Sequence, residues 1–535
     1  MNTKAIIPSV KNCNFNNGKL VFKNIVLKGE NTEFAQCYLN FFLNGAVSAE
    51  NENANMLLTL NSELKKGAYN LTVNEKINVE YSCTQGLRNA LATFFQLIEV
   101  SNGSFCVDTC EINDYPACDL RSVLIDLARG LPDFSRLKED ILRLSLAKCT
   151  HVHLHLMDEK GLCYESDVFK MDDDIRGTKL YTKEMLKELV VYCKQLGIEI
   201  IPEFEIPAHS HYLTRHIKQV ACKTNLQSPS PAVVCAGNEE TYAFYTRLIK
   251  ELCEIFPCEN IHMGGDELYF GDFPSWNWKP VWEHCEVCKE VMAKNNINSI
   301  QEMYYYVVRR IYDIVKAQGK TLVIFNDQLD VSKPLDLPKD IVIQFWRIAA
   351  KNRGPVEGCS YNKFLEQGFK VIASPFEYTY IDAIDFVSPE RCSTFDFTDY
   401  NDSAEYNNNL VGGEVCAWEY GNPAFTHYKF SFTSGTVLLL AKMWNKQNVV
   451  YDKAYRRMLS KIILGVNTPK NYDIFELFAS IMPPKVNDVI SYANKQNELI
   501  TDEILEKHTA VLKSLSNTYS KIYLQNLLEL IEKIS

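Results

Sequence analysis

The sequence predicts a TIM (β/α)8 barrel preceded by a small α/β domain and followed by a helical C-terminal extension. Three observations carry this prediction. From Asp119 onward, short apolar runs alternate with amphipathic helical stretches. Before about Pro116, period-two alternation gives way to a single helical pattern. Beyond about Trp444, helical periodicity continues without strand signals. The implied domains are residues 1–116, 117–444 and 445–535. A chain of 535 residues exceeds one ordinary compact core, so a barrel with companions is in keeping with its length.

In the first domain Tyr69, Leu71 and Val73 alternate with polar residues, as do Ile77, Val79 and Tyr81, which predicts half-buried strands. After Gly86, the residues Leu87, Leu91, Phe94 and Ile98 fall on one helix face. No catalytic constellation occurs here, and the domain reads as a support. The eight barrel strands are predicted at 120–126, 151–157, 198–205, 261–266, 321–326, 341–346, 369–374 and 414–418, with helices between several of them, such as 136–147, 183–196, 242–255 and 300–318.

Composition narrows the function classes. Hydrophobic residues make up 46% and charged residues 23%, an ordinary globular balance. The net charge of −11 disfavours phosphate backbones and anionic lipid surfaces, so neither nucleic acid nor membrane is an expected partner. No window resembles a transmembrane span. The stretch from Met1 to Lys11 lacks the apolar run of a secretory signal, and the expectation is a cytoplasmic protein. The 18 cysteines are scattered, many in apolar segments (Cys149, Cys193, Cys253, Cys416), and read as reduced, mostly buried thiols. Cys285 and Cys288 form one Cys-x-x-Cys, but no second pair stands at zinc spacing, so they read as chance helix neighbours rather than metal ligands.

In a TIM barrel, chemistry collects at the C-terminal ends of the strands. Several predicted strand ends carry residues that a core does not favour: Asp126; His155 and Asp158; Glu203, Glu205 and His209; Asp266 and Glu267; Trp346; Tyr380 and Asp382; Trp418 and Glu419. Acids with aromatic rings at one mouth suit a sugar, whose hydroxyls seek acceptors and whose ring faces seek apolar cover. The string His262-Met-Gly-Gly-Asp266-Glu267 is the most informative. Its glycines permit a tight turn. Its adjacent acids crowd like charges, which raises the proton affinity of one and suits a division into proton donor and persistent anion.

Several segments in order resemble glycoside hydrolase family 20, the β-N-acetylhexosaminidases. They are the run from Leu120-Arg121 to Asp126-Leu-Ala-Arg129, His153-Leu-His155-Leu-Met-Asp158, Ile201-Pro-Glu-Phe-Glu-Ile-Pro-Ala-His209, His262 to Glu267, Tyr380-Ile-Asp382, and Trp418. The resemblance implies exo-acting, retaining, substrate-assisted hydrolysis without a cofactor or metal, acting on oligosaccharides or glycoconjugates that end in N-acetylhexosamine. That is a departure from schemes with a carboxylate nucleophile about 5–5.5 Å from the acid. By resemblance Glu267 is the general acid/base, Asp266 accepts from the acetamido N–H, and Tyr380 donates to its carbonyl. Asp158 and His209 support the acid. Arg121 binds sugar hydroxyls at the closed end of the pocket. Trp346, Trp418 and Phe325 wall the pocket, Asp382 belongs to the later subsite residues, and the carboxylate for the 4- and 6-hydroxyls is either Glu419 in shifted geometry or absent.

The sequence departs from the family pattern at three points. Phe325 or Asn326 stands where a third tryptophan is usual, Ser122 replaces a glycine, and Trp418 is followed directly by Glu419 where Trp-x-Glu is usual. Two rival readings stand beside the resemblance. His151, His153 and His155 alternate on a strand and, with Asp266, suggest a metal-dependent amidohydrolase. A catalytically silent glycan-binding protein on the same fold is the other.

Overall fold

The computed structural model describes residues 5–43, 45–49, 52–101, 103–170, 179–223, 233–268, 282–346, 361–381, 389–398, 408–418, 420, 428–446 and 449–464. The N-terminal part is a mixed sheet in the order Asn12–Phe22, Ser104–Asp114, Tyr69–Val73, Ile77–Tyr81, Met56–Leu60, Ile25–Gly29, Val47–Ala49, with Glu99–Ser101 paired to Ser104–Asp114. Tyr69, Leu71 and Val73 are buried while Asn70 and Thr72 are half-buried, so the alternation in the sequence marks the two sheet faces. Helix Thr84–Leu97 covers one face with Leu87, Leu91 and Phe94.

The barrel is closed and wholly parallel. Its strands are β1 (Leu120–Asp126), β2 (His151–His155), β3 (Glu199–Glu203), β4 (Asn260–His262), β5 (Thr321–Phe325), β6 (Val342–Phe345), β7 (Lys370–Ala373) and β8 (Leu410–Ala417). Each pairs with the next, and β8 pairs back to β1. The helix Ile300–Ala317, between β4 and β5, shows why the outer layer forms. Ser299 caps it by accepting from the Glu302 N–H, and the Glu302 carboxylate accepts from the Asn298 N–H. Met303, Val307, Val308, Ile311 and Val315 then recur at three- and four-residue spacing and are buried. Each such side chain stabilises by about 1.5–3 kcal/mol relative to exposure, and a charge at Ile311 would break the seam.

The small domain docks on the end of the barrel where the strands begin. Asp114, at the end of its last strand, accepts hydrogen bonds from Tyr69 (2.8 Å), Lys148 (2.9 Å) and Trp444 (3.1 Å), all within a buried junction. Burial pushes the Lys148 ammonium down to about 8 although Asp114 opposes this. Arg88 of the small domain donates to the carbonyls of Ser145 and Cys149 in the barrel. A cleft of about 1240 Å3 opens at this same end, lined among others by Asp119, His151, Glu199 and Lys370. It lies at strand starts, the face of a TIM barrel associated with stability rather than catalysis.

Of the predicted C-terminal region 445–535, helix Lys453–Leu464 is described, and residues beyond 464 lie outside the described residues. Among the described residues no helix is long and apolar enough to cross a membrane.

Candidate active site

The opposite end of the barrel gathers most of the predicted residues. Past His262, the chain leaves regular strand but stays stitched to its neighbours: the Met263 N–H donates to the Val323 carbonyl, and the Gly264 carbonyl accepts from Phe325 N–H. Gly264 has φ +64°, which requires glycine, and a Cβ there would stand 1.9 Å from Oε2 of Glu205 and displace that carboxyl. The turn throws Asp266 and Glu267 to the mouth, where their side chains are 11% and 20% exposed. Glu267 itself holds φ +55° and His209 holds φ +50°. Two non-glycine residues in the left-handed region store on the order of 1–3 kcal/mol each, a pattern concentrated at functional sites.

Those two strained residues meet. His209 Nε2 lies 3.3 Å from Oε2 of Glu267, and its Nδ1 lies 3.3 Å from Oδ1 of Asp158. Burial opposes the imidazolium, yet Asp158 and Asp266 hold the His209 ring well above its ordinary range. Asp158 is kept far below the usual carboxylate range, against its own burial, by Arg129 and His209. Asp266 behaves in the opposite way: burial, with Asp327 and Glu267 nearby, pushes it up to about 8 while His209 pulls against this. Among the described residues, Oδ1 of Asp266 is buried without a hydrogen-bond partner, so it retains acceptor capacity.

Aromatic rings from four strand ends form a box over these acids. Trp346 stacks on Tyr380 at 5.7 Å and 13°, and Trp418 lies 5.8 Å from Tyr380 and 6.3 Å from Phe325. Burial, with Cys416, Asp266 and Glu267 acting the same way, holds the Tyr380 phenol well above its usual range, so it stays a neutral donor. Phe325, fully buried, forms one side of this box against Trp418. Asp382 and Glu419 lie outside the described residues.

Arg121 requires correction. It is the second residue of β1, at the strand's starting end, and is fully buried in the domain junction. Its guanidinium donates to the carbonyls of Lys148 (3.0 Å) and Cys118 (2.5 Å) and lies over the Trp444 ring. No sugar reaches it there. Among the described residues, an arginine does stand at the mouth: Arg129, three residues past the end of β1. It is ion-paired with Asp126 (3.1 Å), Asp158 (2.6 Å) and Glu159 (3.2 Å) and lies over the Trp418 ring. Its place after a strand end was the available signal.

The histidine reading also changes. His153 and His155 do share a face, but they turn into a buried layer of the barrel against Glu203, Glu414 and Asp158. His151 sits at the other end of β2, near Thr150 and Glu199. The three rings and Asp266 are not brought to one point, because the ends of a five-residue strand face opposite ends of the barrel. In that layer Glu203 is held well below the usual range by His155, His153 and His262 despite burial. Glu205 is pushed well above it by burial and by Asp266. The two glutamates of the β3 segment are thus driven in opposite directions.

Sequence reasoning also missed Asp327. Its carboxylate accepts from the Glu267 backbone N–H (2.9 Å) and from the Trp346 indole N–H (3.1 Å), tying the acid's backbone to the aromatic box. The residue follows the end of β5 and carried the same positional signal as the others.

Residues 119–426 match the glycosyl hydrolase family 20 catalytic domain, and residues 3–115 match glycosyl hydrolase family 20 domain 2. A beta-hexosaminidase of Vibrio furnissii is 28% identical over 368 residues, 63% of this chain and 56% of that protein, so the chain spans little more than half of that relative's length. The beta-hexosaminidase subunit alpha of Bos taurus is 26% identical over 412 residues, 73% of each chain. In fold, the beta-N-acetylhexosaminidase of Bacteroides fragilis superposes with a TM-score of 0.72 at 20% identity, covering 85% of this chain and 94% of that one. With both its barrel and its preceding domain matched in order, the chain belongs to glycosyl hydrolase family 20.

Proposed function

We propose that this protein is an exo-acting β-N-acetylhexosaminidase that retains configuration through substrate-assisted hydrolysis. The observation that carries the reading is the pairing of Glu267, backed by His209 and Asp158, with Asp266 under the Trp346–Tyr380–Trp418 box. Glu267 protonates the glycosidic oxygen as the bond to the anomeric carbon breaks. The substrate's own acetamido oxygen attacks that carbon, giving an oxazolinium. Asp266 accepts from the acetamido N–H and offsets the positive charge that develops, and the Tyr380 hydroxyl donates to the acetamido oxygen. Water, deprotonated by Glu267, then opens the ring and restores the acetamide. An internal nucleophile already in place removes an entropic part of the barrier. Arg129, rather than Arg121, binds hydroxyls at the pocket floor.

Terminal β-linked GlcNAc or GalNAc on oligosaccharides or glycoconjugates is the substrate class this chemistry takes. A cytoplasmic, reducing setting is part of the proposal, favoured by cysteines that stand as free thiols, most of them buried. The test is hydrolysis of aryl β-GlcNAc and β-GalNAc substrates with and without a thiazoline mimic of the oxazolinium. Turnover blocked by the mimic supports the reading. Turnover that ignores it overturns the mechanism, and binding without turnover would make the protein a glycan binder.

A further inference from the structure

Cys222, Cys235, Cys285 and Cys288 have sulfurs that all lie within 4.8 Å of one another. We propose that these four thiolates bind one structural zinc ion that clamps the His209 connection to the Asp266–Glu267 connection. The isolated Cys-x-x-Cys of the sequence is thereby corrected: its second pair exists, but comes from a different strand-to-helix connection, with twelve residues between Cys222 and Cys235.

The geometry is that of a metal site. The Cys235 sulfur is 3.8 Å from that of Cys285 and 3.5 Å from that of Cys288. Four sulfurs about 2.3 Å from a tetrahedral zinc stand about 3.8 Å apart, whereas a disulfide requires about 2.05 Å. The surroundings are built to bring two loops into contact. A Cβ on Gly237 would lie 2.7 Å from Cα of Cys288 and 2.7 Å from the Val287 carbonyl oxygen, so only glycine allows the backbones to close. Fully buried Trp282 donates its indole N–H to the Val234 carbonyl (2.8 Å), a second tie between the loops. Cys285 stands at the N-cap position of helix Glu286–Lys294 and Cys288 lies in its first turn, where the helix dipole favours thiolate. Backbone N–H groups of Gly237 and Lys223 face the sulfurs of Cys235 and Cys285 respectively.

Four thiolate ligands complete a tetrahedron and leave no position for water or substrate, which makes the site structural rather than catalytic. Its consequence reaches the active site through the backbone. The Val234 N–H donates to the Pro207 carbonyl, two residues before His209, and the Cys285–Cys288 pair closes the connection that Glu267 opens. The clamp therefore fixes the relative position of the two chain segments whose side chains meet at the His209–Glu267 contact.

The experiment is a metal count on the full chain purified without added chelator. About one zinc per chain is expected, released in step with the titration of four thiols by an organomercurial. Cys222→Ser and Cys285→Ser should lose the zinc, and Cys193→Ser, in helix Lys183–Gln195, should keep it. If the cluster variants fail to fold, prolonged chelation of the wild type should lower Tm by about 5 °C or more, with recovery on adding zinc but not magnesium. Folded wild-type protein without zinc, whether its four thiols are free or joined as disulfides by mass spectrometry, would overturn the proposal. So would stoichiometric iron in place of zinc. The count reads out independently of hydrolysis and stands or falls apart from the proposed activity.

Discussion

His209 presents Nε2 to Glu267 at 3.3 Å, and both residues hold the backbone in the left-handed region to do so. The contact joins two separate strand-to-helix connections and places a charged imidazole behind the acid. Glu267→Gln should cut kcat by about 10^2–10^4 with little change in KM, the cost of losing a positioned proton donor. His209→Asn should displace the pH optimum of kcat/KM, because the charge facing the acid is gone. Steady-state kinetics across pH checks both, and an unchanged profile in His209→Asn would remove that residue from the mechanism.

Asp266→Asn should lower kcat by about 10^2–10^3 while leaving Tm near wild type. Asp266 is a buried acid whose proton affinity is raised, so its neutral isostere suits the apo fold, and the loss should appear only when charge develops on the substrate. A rate close to wild type would sink the assignment.

Two arginines separate mouth from junction. Arg129→Gln should raise KM and lower kcat, since Asp158 and Asp126 lose the guanidinium they share, at a cost of about 2–5 kcal/mol in kcat/KM. Arg121→Met should leave kcat and KM within about twofold but destabilise the fold, since buried carbonyls of Lys148 and Cys118 lose their donor at about 1–3 kcal/mol each. Paired kinetics and thermal melts decide; the reverse pattern would restore Arg121 to the site.

Tyr380→Phe keeps the ring stacked on Trp346 but removes its hydroxyl. The rate should fall by on the order of 10^2, as for loss of one oriented donor, with a smaller change in binding of a thiazoline mimic. Equal losses in rate and in binding of unreactive product would instead assign the tyrosine to packing.

Stability should depend on alkaline pH through the buried histidine layer. Burial disfavours charged His153, but Glu414 and Glu203 raise it to about 9. A histidine raised on folding contributes stability that is complete below its unfolded pKa of about 6.5 and lost as pH climbs through about 9. His155 and His209 are raised as well and act with the same sign. Tm should therefore fall by about 3–6 °C between pH 7 and 9.5, and Glu414→Gln should flatten that fall. Melts across this window check it, and a rising Tm would contradict the ionisation described for this layer.

Period and order made the architecture legible. The alternation at Tyr69–Val73, the helix face at Leu87, Leu91 and Phe94, and the succession of apolar strands ending in polar residues rest on local spacing, which a linear chain displays directly. The run from Gly264 to Glu267 was legible for the same reason: its glycines are demanded by a turn a few residues long. Distance along the barrel was not legible. Arg121 lies near the start of β1 and Arg129 just past its end, but only closure of the barrel puts one in the domain junction and the other at the mouth. His151 and His155 are likewise separated by the length of a strand. Nor does spacing reveal which elements meet across connections: Asp327 reaches the backbone of Glu267, and Cys222 and Cys235 reach Cys285 and Cys288, because parallel strands bring the C-terminal loops of neighbours side by side. Local spacing sets the kinds of element and the chemistry available at their ends; which of those groups share a face depends on contacts between residues far apart in the chain, and so emerges only when the barrel closes.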